Sequence, residues 1–173
     1  MEIRIIDAMH EKDINLPNQP FPLRGRMVIS YTGTLWEHRE EVLPENQITE
    51  MVFPDENYVY SEMKDSLFLG AYDGEVCVGL AILNPAFGNR LYISDMKVDR
   101  LWRRKGVGRL LIRKAIELVK ERNYTGLSVV AQDNNLDACL FYLSCGFEIG
   151  GLDTAVYQGT SQEGKSDIYF YMH

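Results

Sequence analysis

Three consecutive cations and two glycines precede a helical pattern in this chain, in the run RRKGVG at residues 103–108. The N-terminus of a helix presents backbone N–H groups without intrahelical partners and a partial positive charge, both of which attract anions. Gly106 and Gly108 let a phosphate approach that backbone closely, and Arg109 adds another charge. The run predicts a phosphate-binding turn, although a glycine-containing turn before a solvated basic helix face has the same composition.

Two common nucleotide-binding motifs are absent from this turn. The chain has no GxxxxGK followed by Ser or Thr, and Leu111 stands where a dinucleotide fingerprint needs its third glycine. The turn is therefore predicted to bind a phosphate from another class of ligand.

A second pattern lies downstream, where five residues stand at offsets of 0, 3, 7, 11 and 12 along the chain. They are Asn135, Ala138, Tyr142, Gly146 and Phe147. Asn is a preferred helix cap, and a tyrosine hydroxyl can donate a proton. By itself the pattern is equally consistent with a capped helix that packs Ala138 and Phe147 into a core.

Together the two patterns resemble the GNAT superfamily of N-acetyltransferases, whose motif has Arg or Gln, two residues, Gly, one residue, then Gly or Ala. Arg103, Gly106 and Gly108 match that motif. Val98 matches the strand position whose backbone pairs with pantetheine in the family. The resemblance implies an acetyl-CoA cosubstrate, with backbone N–H groups from about Arg103 to Arg109 on its pyrophosphate.

The resemblance also implies individual roles. By analogy with the family, the Val98 amide polarises the thioester carbonyl, Asn135 contacts the pantetheine arm, and the Tyr142 hydroxyl protonates or stabilises the CoA thiolate. An ordinary aromatic side chain at a helix surface is the alternative for Tyr142. The residues assigned to acetyl-CoA in this way are Met96, Val98, Arg103, Arg104, Lys105, Gly106, Val107, Gly108, Arg109, Asn135, Ala138 and Tyr142.

An amine acceptor must also lose a proton, and Asp95 is the acid best placed to assist. In a regular strand Asp95 shares a face with Leu91 and Ile93, so it is either a partly buried carboxylate or re-aimed by a local bulge. A role in orienting or deprotonating the amine, directly or through water, competes with a structural hydrogen-bonding role. Asp153 is a second candidate for the base.

Several further segments resemble streptothricin acetyltransferases, bacterial resistance enzymes that acetylate the β-lysine part of a polycationic antibiotic. The segments are LPNQPFPLRGRMVISY near the N-terminus and AQDNN, ACLFY, CGFEIGG and DTAVY between residues 131 and 157. Residues 34–65 hold nine acids against Arg39 and Lys64, and such a segment attracts cations unless it only solubilises a loop. The resemblance implies a small cationic amine as the acceptor.

Two other functions stay open at this point. The first is a GNAT enzyme acting on another amine, such as a polyamine, an aminoglycoside or a protein lysine. The second is an acyl-CoA sensor that binds without turnover, which the intact Asn135 and Tyr142 disfavour. The basic residues cluster at one phosphate-sized turn while the whole chain is net acidic, at −7, so a nucleic-acid partner is not expected.

The pattern of elements fits a mixed α/β (α+β) sheet domain. Alternating and β-branched residues predict strands, and spacing by three and four predicts an amphipathic helix from Val107 to about Asn123, then a short helix capped by Asp133 or Asn134 and ended by Gly146. The N-terminal third reads as irregular, and Gln47–Met63 is ambiguous. The predicted strands cover residues 24–31, 35–42, 67–72, 76–83, 90–98, 125–131, 149–157 and 167–172, with an Asp73-Gly74 turn between the third and fourth. By resemblance the central sheet is mostly antiparallel, flanked by helices, and splayed in a V between the strands at 90–98 and 125–131.

Length and composition are those of one domain. We expect a single GNAT domain over residues 1–173, with an acceptor-side region at 1–65, an acetyl-CoA-binding core at 66–157, and a loop and last strand at 158–173. Its three cysteines and three histidines form no metal-like spacing, so no metal is expected. The chain has neither a signal sequence nor a long apolar stretch, so we expect a cytoplasmic protein without a membrane partner. A homodimer is one of the assemblies that the sequence allows.

Overall fold

The structure is a computed structural model that describes residues 1–173. Residue contacts divide the chain into two compact units, of which the first comprises residues 1–20, 52–128 and 173 and the second comprises 21–51 and 129–172. The strands are β1 Glu2–Ile5, β2 Phe21–Leu23, β3 Gly25–Tyr31, β4 Trp36–Val42, β5 Thr49–Met51, β6 Leu67–Asp73, β7 Val76–Ala86, β8 Arg90–Val98, β9 Leu127–Gln132, β10 Glu148–Asp153 and β11 Asp167–Met172. The α-helices are α1 Val107–Glu121 and α2 Leu136–Ser144, and short 3-10 helices span Ala8–Asn15, Glu45–Gln47, Tyr60–Glu62 and Arg100–Trp102.

Four strands of the first unit form an antiparallel sheet in the order β1-β6-β7-β8. The predicted hairpin at Asp73 and Gly74 is confirmed, since Asp73 pairs with Val76 and Gly74 takes a φ of 61° between them. A left-handed φ at this position is typical of two-residue hairpin turns, and glycine adopts it without strain.

Helix α1 packs its apolar stripe against one face of this sheet. Its buried residues are Val107, Leu111, Ile112, Ala115 and Leu118, and the spacing confirms the predicted amphipathic helix. Gly79 on β7 makes the close approach possible, because a Cβ there would lie 3.0 Å from Val107 Cγ1 and 3.2 Å from Ala71 Cβ. The first turn of α1 therefore packs directly against β7, the strand that pairs with β8.

The opposite face of the sheet carries a second apolar cluster. It consists of Ile6, Ile14, Phe68, Leu80 and Ile82, with Leu16, Tyr58, Tyr60 and Met63 packed against it. Residues 52–66 thus contribute side chains to the first unit although the sequence left their structure ambiguous. Their only regular element is the 3-10 turn Tyr60–Glu62.

A β-bulge interrupts the pairing of β7 and β8. Leu83 pairs with Ile93 whereas Ile82 pairs with Asp95, so Ser94 is the extra residue. A bulge reverses the alternation of side chains beyond it. Asp95 and Lys97 therefore share the face of Ile82 and Leu80, opposite α1, and the bulge alternative considered for Asp95 is the one that occurs.

The second unit is built from hairpins and α2. Strands β3 and β4, both predicted as strands, pair antiparallel with each other, β2 pairs with β5, and β9, β11 and β10 are neighbours in that order. Strand β10 ends at Asp153 rather than Tyr157, because Asp153 Oδ1 accepts hydrogen bonds from the Ala155 and Val156 amides and turns the chain. Predicted and observed bounds also differ at β9, which begins at Leu127 instead of Thr125.

Helix α2 begins one or two residues later than predicted. Its N-cap is Asn135, whose Oδ1 accepts from the Ala138 amide at 3.2 Å, and not Asp133 or Asn134. Asp133 is drawn away from capping because its carboxylate pairs with Arg26 at 2.8 Å and accepts from the Ser166 amide. Gly146, with a φ of 96°, follows the helix as predicted.

The N-terminal third is more regular than predicted. Strand β1 joins the sheet edge through Ile3 and Ile5, which pair with Ala71 and Leu69, and Asp7 caps the following 3-10 helix. The three cysteines are free thiols. Neither helix has the length and apolar character needed to cross a membrane.

Candidate active site

The turn before α1 has the backbone geometry of an anion site. Arg104 and Gly106 take φ values of 63° and 85°, and alternating left-handed residues of this kind form concave arrays of N–H groups. The first intrahelical bond runs from the Leu110 amide to the Gly106 carbonyl at 3.1 Å. No side chain caps the helix and no acid lies in its first turn, so the protein does not neutralise the positive potential at the N-terminus of α1.

Arg103 braces this turn from inside the first unit. Its guanidinium donates to the carbonyls of Val98 at 3.0 Å, Pro20 at 2.6 Å and Gln19 at 3.2 Å, and its amide donates to the Asp99 carbonyl at 3.1 Å. The arginine position of the motif is thus occupied by a residue that shapes the loop. The amides placed to meet a phosphate are those nearer to Gly106.

The cations around the turn are exposed. Arg104, Lys105 and Arg109 have exposed side chains, and Lys105 Nζ lies 5.2 Å from the centre of the Trp102 ring. Such a cation–π contact restrains a long side chain without neutralising it. The turn therefore combines oriented amides with positive charge, as a pyrophosphate requires.

Strand β8 directs two amides away from its partner β7. The Asp99 amide donates to the Val78 carbonyl at 2.9 Å, which makes 78 and 99 a hydrogen-bonded pair. Because such pairs alternate along antiparallel strands, the amides of Met96 and Val98 point to the other edge of β8. These are the two strand residues that the sequence assigned to acetyl-CoA, Val98 among them for the pantetheine arm.

Asp95 lies in a cluster of charged and polar groups on the bulged part of β8. Lys97 Nζ is 2.9 Å from Asp95 Oδ2 and 2.8 Å from Glu56 Oε2, and the Tyr58 hydroxyl donates to Asp95 Oδ2 at 3.4 Å. The Lys97 and Asp95 side chains are only 9% and 12% exposed, whereas that of Glu56 is 36% exposed. Asn18 Nδ2 also donates to Glu56, at 3.0 Å.

Burial and charge act in opposite directions on this cluster. Desolvation raises the pKa of Asp95 above its ordinary value, and the Lys97 ammonium only partly offsets the increase. Burial lowers the pKa of Lys97, but its bonds to Glu56 and Asp95 outweigh this and the pKa is raised overall. Lys97 is therefore a permanent cation beside a carboxylate that is more basic than usual.

The sequence did not identify Lys97, Glu56 or Tyr58 as site residues. Lys97 could have been found, because two positions along a strand place it on the face of Asp95. Glu56 was counted only among nine acids, and Tyr58 lies in the segment of ambiguous structure. The positions of Glu56 and Tyr58 depend on the packing of their segment against the apolar face of β7. No local sequence pattern indicates this packing.

We predict that Lys97→Met destabilises the fold by about 3 kcal/mol at about pH 8, because it leaves the buried Asp95 carboxylate without its cation. In the variant the pKa of Asp95 rises further, so the lost stability returns as the pH falls through that pKa. Urea unfolding at about pH 8 and about pH 5 measures both effects. The double variant Asp95→Asn, Lys97→Met should be more stable than Lys97→Met alone at the higher pH, and equal stabilities would contradict the pairing.

In the second unit, Asn135 is fixed at the start of α2. Its amide donates to the Gln132 carbonyl at 3.0 Å, and a parallel bridge joins it to Gly25 of β3. The cap bond uses Oδ1, and Nδ2 makes no hydrogen bond within the protein. Ala138, which supplies the capped amide, lies one turn along the same helix.

Tyr142 is buried, with 7% of its surface exposed, among aromatic rings of the second unit. Its ring centre lies 5.3 Å from that of Phe141, 5.5 Å from Phe147 and 5.8 Å from Phe170. The contacts with Phe141 and Phe147 are edge-to-face and that with Phe170 is tilted, and together they restrain the orientation of the ring. Tyr142 is therefore not an ordinary exposed aromatic on the helix surface.

Residues 33–147 match the acetyltransferase (GNAT) family. The chain belongs to this family. Streptothricin acetyltransferase A of Bacillus subtilis (strain 168) is 31% identical over 163 residues, which cover 94% of each chain. A streptothricin acetyltransferase of Streptomyces lavendulae is 34% identical over 153 residues, covering 83% of this chain and 79% of that protein.

A solved structure of the GNAT family extends the similarity to the whole fold. It is the crystal structure of a Bacillus anthracis str. Ames protein assigned as a streptothricin acetyltransferase, in complex with acetyl coenzyme A. The two share 30% identity and a TM-score of 0.88, over 99% of this chain and 98% of the other. The protein is an acetyl-CoA-dependent N-acetyltransferase, and the mixed α/β GNAT fold predicted from the sequence is confirmed.

The turn before α1 fits the donor of this GNAT enzyme. Open space surrounds the Cα of Gly106, since a Cβ there would meet no atom within 4 Å. The exposed cations and the absence of an acid in the first turn also suit a pyrophosphate.

Gly106→Ala should raise the KM for acetyl-CoA about tenfold, because alanine disfavours the left-handed φ and the turn must shift to relieve it. Steady-state kinetics with varied acetyl-CoA measures this. Gly74→Ala is the matched control, since Gly74 has a φ of 61° and equally open space at a hairpin tip. The two variants should lose similar stability, and an unchanged KM in Gly106→Ala would remove this backbone from the binding of acetyl-CoA.

Proposed function

We propose that this enzyme acetylates an amine of streptothricin, on its β-lysine part, and so confers resistance to the antibiotic. The proposal rests chiefly on the whole-length similarity to streptothricin acetyltransferases. In this proposal the acceptor is a small cationic amine.

Acetyl-CoA supplies the acetyl group as a thioester. The amides near Gly106, with Arg104, Lys105 and Arg109, hold its pyrophosphate. Met96 and Val98 offer the edge of β8 to the pantetheine arm, and the Val98 amide polarises the thioester carbonyl. Asn135 Nδ2 donates to the same arm, since its oxygen is already used as a helix cap.

Asp95 accepts the proton that the acceptor amine must lose, directly or through a water molecule. Its raised pKa makes the carboxylate a stronger base than an exposed aspartate, while the adjacent Lys97 ammonium favours the ionised form and limits the increase. Asp153 is the weaker candidate for this role, because its Oδ1 already accepts two backbone amides.

Tyr142 gives its hydroxyl proton to the thiolate that leaves when the acetyl group is transferred. The geometry in support is the rigid aromatic surround that fixes its ring. A positioned acid lowers the barrier for expelling a thiolate in a site that excludes water.

The nine acids of residues 34–65 are divided between the two units, so they do not form a single acidic surface within either one. Five lie in the second unit and four in the first, where Glu56 pairs with Lys97. A general attraction for cations remains compatible with this distribution.

Release of free CoA thiol from acetyl-CoA, measured with streptothricin, spermidine and lysine peptides, tests the proposed function. Streptothricin should give the highest kcat/KM. Turnover only with another amine would assign a different acceptor, and binding of acetyl-CoA without turnover of any amine would indicate a sensor. Either result overturns the proposal.

The single-domain organisation, the cytoplasmic location and a homodimeric assembly stay predictions.

A further inference from the structure

Two asparagines of the first unit hold residues 54–58 in place, although this stretch has no regular secondary structure. Asn15 Nδ2 donates to the Tyr58 carbonyl at 2.9 Å, and Asn15 Oδ1 accepts from the Tyr58 amide at 2.8 Å. Asn18 Nδ2 donates to the Pro54 carbonyl at 2.8 Å. The two side-chain amides thus replace the backbone partners that a strand would have. The stretch is therefore fixed at both of its ends.

This fixed stretch brings Glu56 to the ammonium of Lys97. Glu56 Oε2 is 2.8 Å from Lys97 Nζ, and Asp95 Oδ2 is 2.9 Å from the same nitrogen. Asn18 Nδ2 also donates to Glu56 Oε2, at 3.0 Å, so the carboxylate is held from two sides. An N–H group that the ammonium gives to one carboxylate is not available to the other. One ammonium is therefore shared between a largely buried carboxylate and a more exposed one.

Glu56 opposes the effect of Lys97 on Asp95. It takes one hydrogen bond of the ammonium, and its negative charge disfavours ionisation of the second carboxylate. Tyr58 is the other titratable residue that bonds to Asp95, and burial raises the pKa of its hydroxyl, which therefore stays a neutral donor. Strand β7 presents the apolar side chain of Ile82 to this face. Lys97 and Glu56 are thus the two charged groups that set the ionisation of Asp95.

The two carboxylates respond to this arrangement in opposite directions. Burial raises the pKa of Glu56, but its bond to Lys97 Nζ outweighs this, and the pKa is lowered overall. Desolvation raises the pKa of Asp95, and the charge of Glu56 adds to the increase. Environments that separate the pKa values of two acids give them different roles. Glu56 therefore stays ionised in the pH range in which Asp95 takes up a proton.

We propose that Glu56 is a positioning residue for acetyl transfer, which shares the Lys97 ammonium with Asp95 and so keeps the Asp95 carboxylate able to accept the proton of the amine. This inference rests on the proposed function insofar as Asp95 is the base. An aspartate that held the whole ammonium would be a weaker base, because a cation nearby stabilises the ionised form. Asn18 maintains the sharing, since it holds Glu56 against Lys97.

Glu56→Gln tests this role, because it removes the charge and keeps the shape of the side chain. The Lys97 ammonium then acts mainly on Asp95, so the pKa of Asp95 should fall. The acid limb of kcat/KM should move to lower pH by about one pH unit, and the rate at alkaline pH should fall about threefold because the base is weaker. Steady-state rates give the profile. Carbon-13 NMR of the aspartate carboxyl groups, with Asp95→Asn for assignment, titrates Asp95 without any acceptor.

Asn18→Ala is a second variant that changes no charge. It removes the bonds to Pro54 and Glu56, so the acid limb should move in the same direction by a smaller amount. Glu62→Gln is the matched control. Glu62 is an exposed acid on the 3-10 turn of the same part of the chain, and its replacement should leave the profile and the titration of Asp95 unchanged.

An unchanged titration of Asp95 in Glu56→Gln would overturn the proposal. A rate lowered equally at every pH would do the same, since that is the result of a merely structural role. A titration that shifts while the acid limb does not would remove Glu56 from acetyl transfer. Failure of the proposed function is a separate result: streptothricin would not be acetylated, whereas the NMR titration needs no acceptor and the rates can be measured with the amine that is turned over.

Discussion

Replacing Tyr142 with phenylalanine should lower kcat for acetyl transfer about 100-fold, the usual contribution of a positioned general acid. The substitution keeps the ring that packs against Phe147 and Phe170 and removes only the hydroxyl. The KM values for acetyl-CoA and for the acceptor should change little, because the proton is needed when the thiolate leaves. Pre-steady-state release of CoA thiol measures the step directly.

Tyr124→Phe is a suitable control for this variant. Tyr124 follows α1 in the first unit and has no predicted part in acetyl transfer. Both variants should retain the near-ultraviolet circular dichroism of a packed core. Equal kcat values in Tyr142→Phe and the wild type would remove Tyr142 from the mechanism.

Replacing Asp95 with asparagine should lower kcat/KM for the acceptor about 100-fold near neutral pH, because asparagine cannot take the proton of the amine. The wild-type kcat/KM should fall as the pH decreases through the raised pKa of Asp95, since only the carboxylate is a base. That acid limb should be absent from Asp95→Asn. A pH profile of kcat/KM from steady-state rates measures both.

The variant Lys97→Met distinguishes a catalytic role of Asp95 from a purely structural one. Lys97→Met removes the cation beside the carboxylate, so the acid limb should move to higher pH while activity recovers at alkaline pH. A structural role alone would lower the rate equally at every pH. Asp73→Asn, at an exposed hairpin turn, should leave the profile unchanged, and an acid limb retained in Asp95→Asn would assign the base to another residue.

Local patterns determined much of the fold before any tertiary contact was known. The β6–β7 hairpin, strand β8 over residues 90–98 and helix α1 follow from short-range alternation, an Asp-Gly turn and spacing by three and four. Features with weaker local signals were misplaced. Asn135 rather than Asp133 caps α2 because Arg26, distant in sequence, claims the Asp133 carboxylate.

The donor side of the site was also present in the sequence. The glycines before α1 and the spacing from Asn135 to Phe147 are local requirements of turns and helix ends. They can therefore be recognised in a single sequence, without knowledge of any tertiary contact. What Arg103 does was not visible, because its partners Gln19 and Pro20 lie more than eighty residues away. Its guanidinium shapes the loop that the glycines open.

The surroundings of Asp95, the proposed base, were decided by tertiary structure. Sequence parity placed Asp95 with Leu91 and Ile93, and only the pairing with β7 shows that Ser94 is bulged and that the later side chains change face. The bulge puts Asp95 beside Lys97, and the apolar face of β7 holds the 52–66 segment so that Glu56 and Tyr58 complete the cluster. The sequence alone therefore determined the turn and the helix ends of the donor side, because these features are local, and its resemblance to the GNAT superfamily implied acetyl-CoA as the donor. The environment of its proposed base was set by strand register and long-range burial, which no short segment encodes.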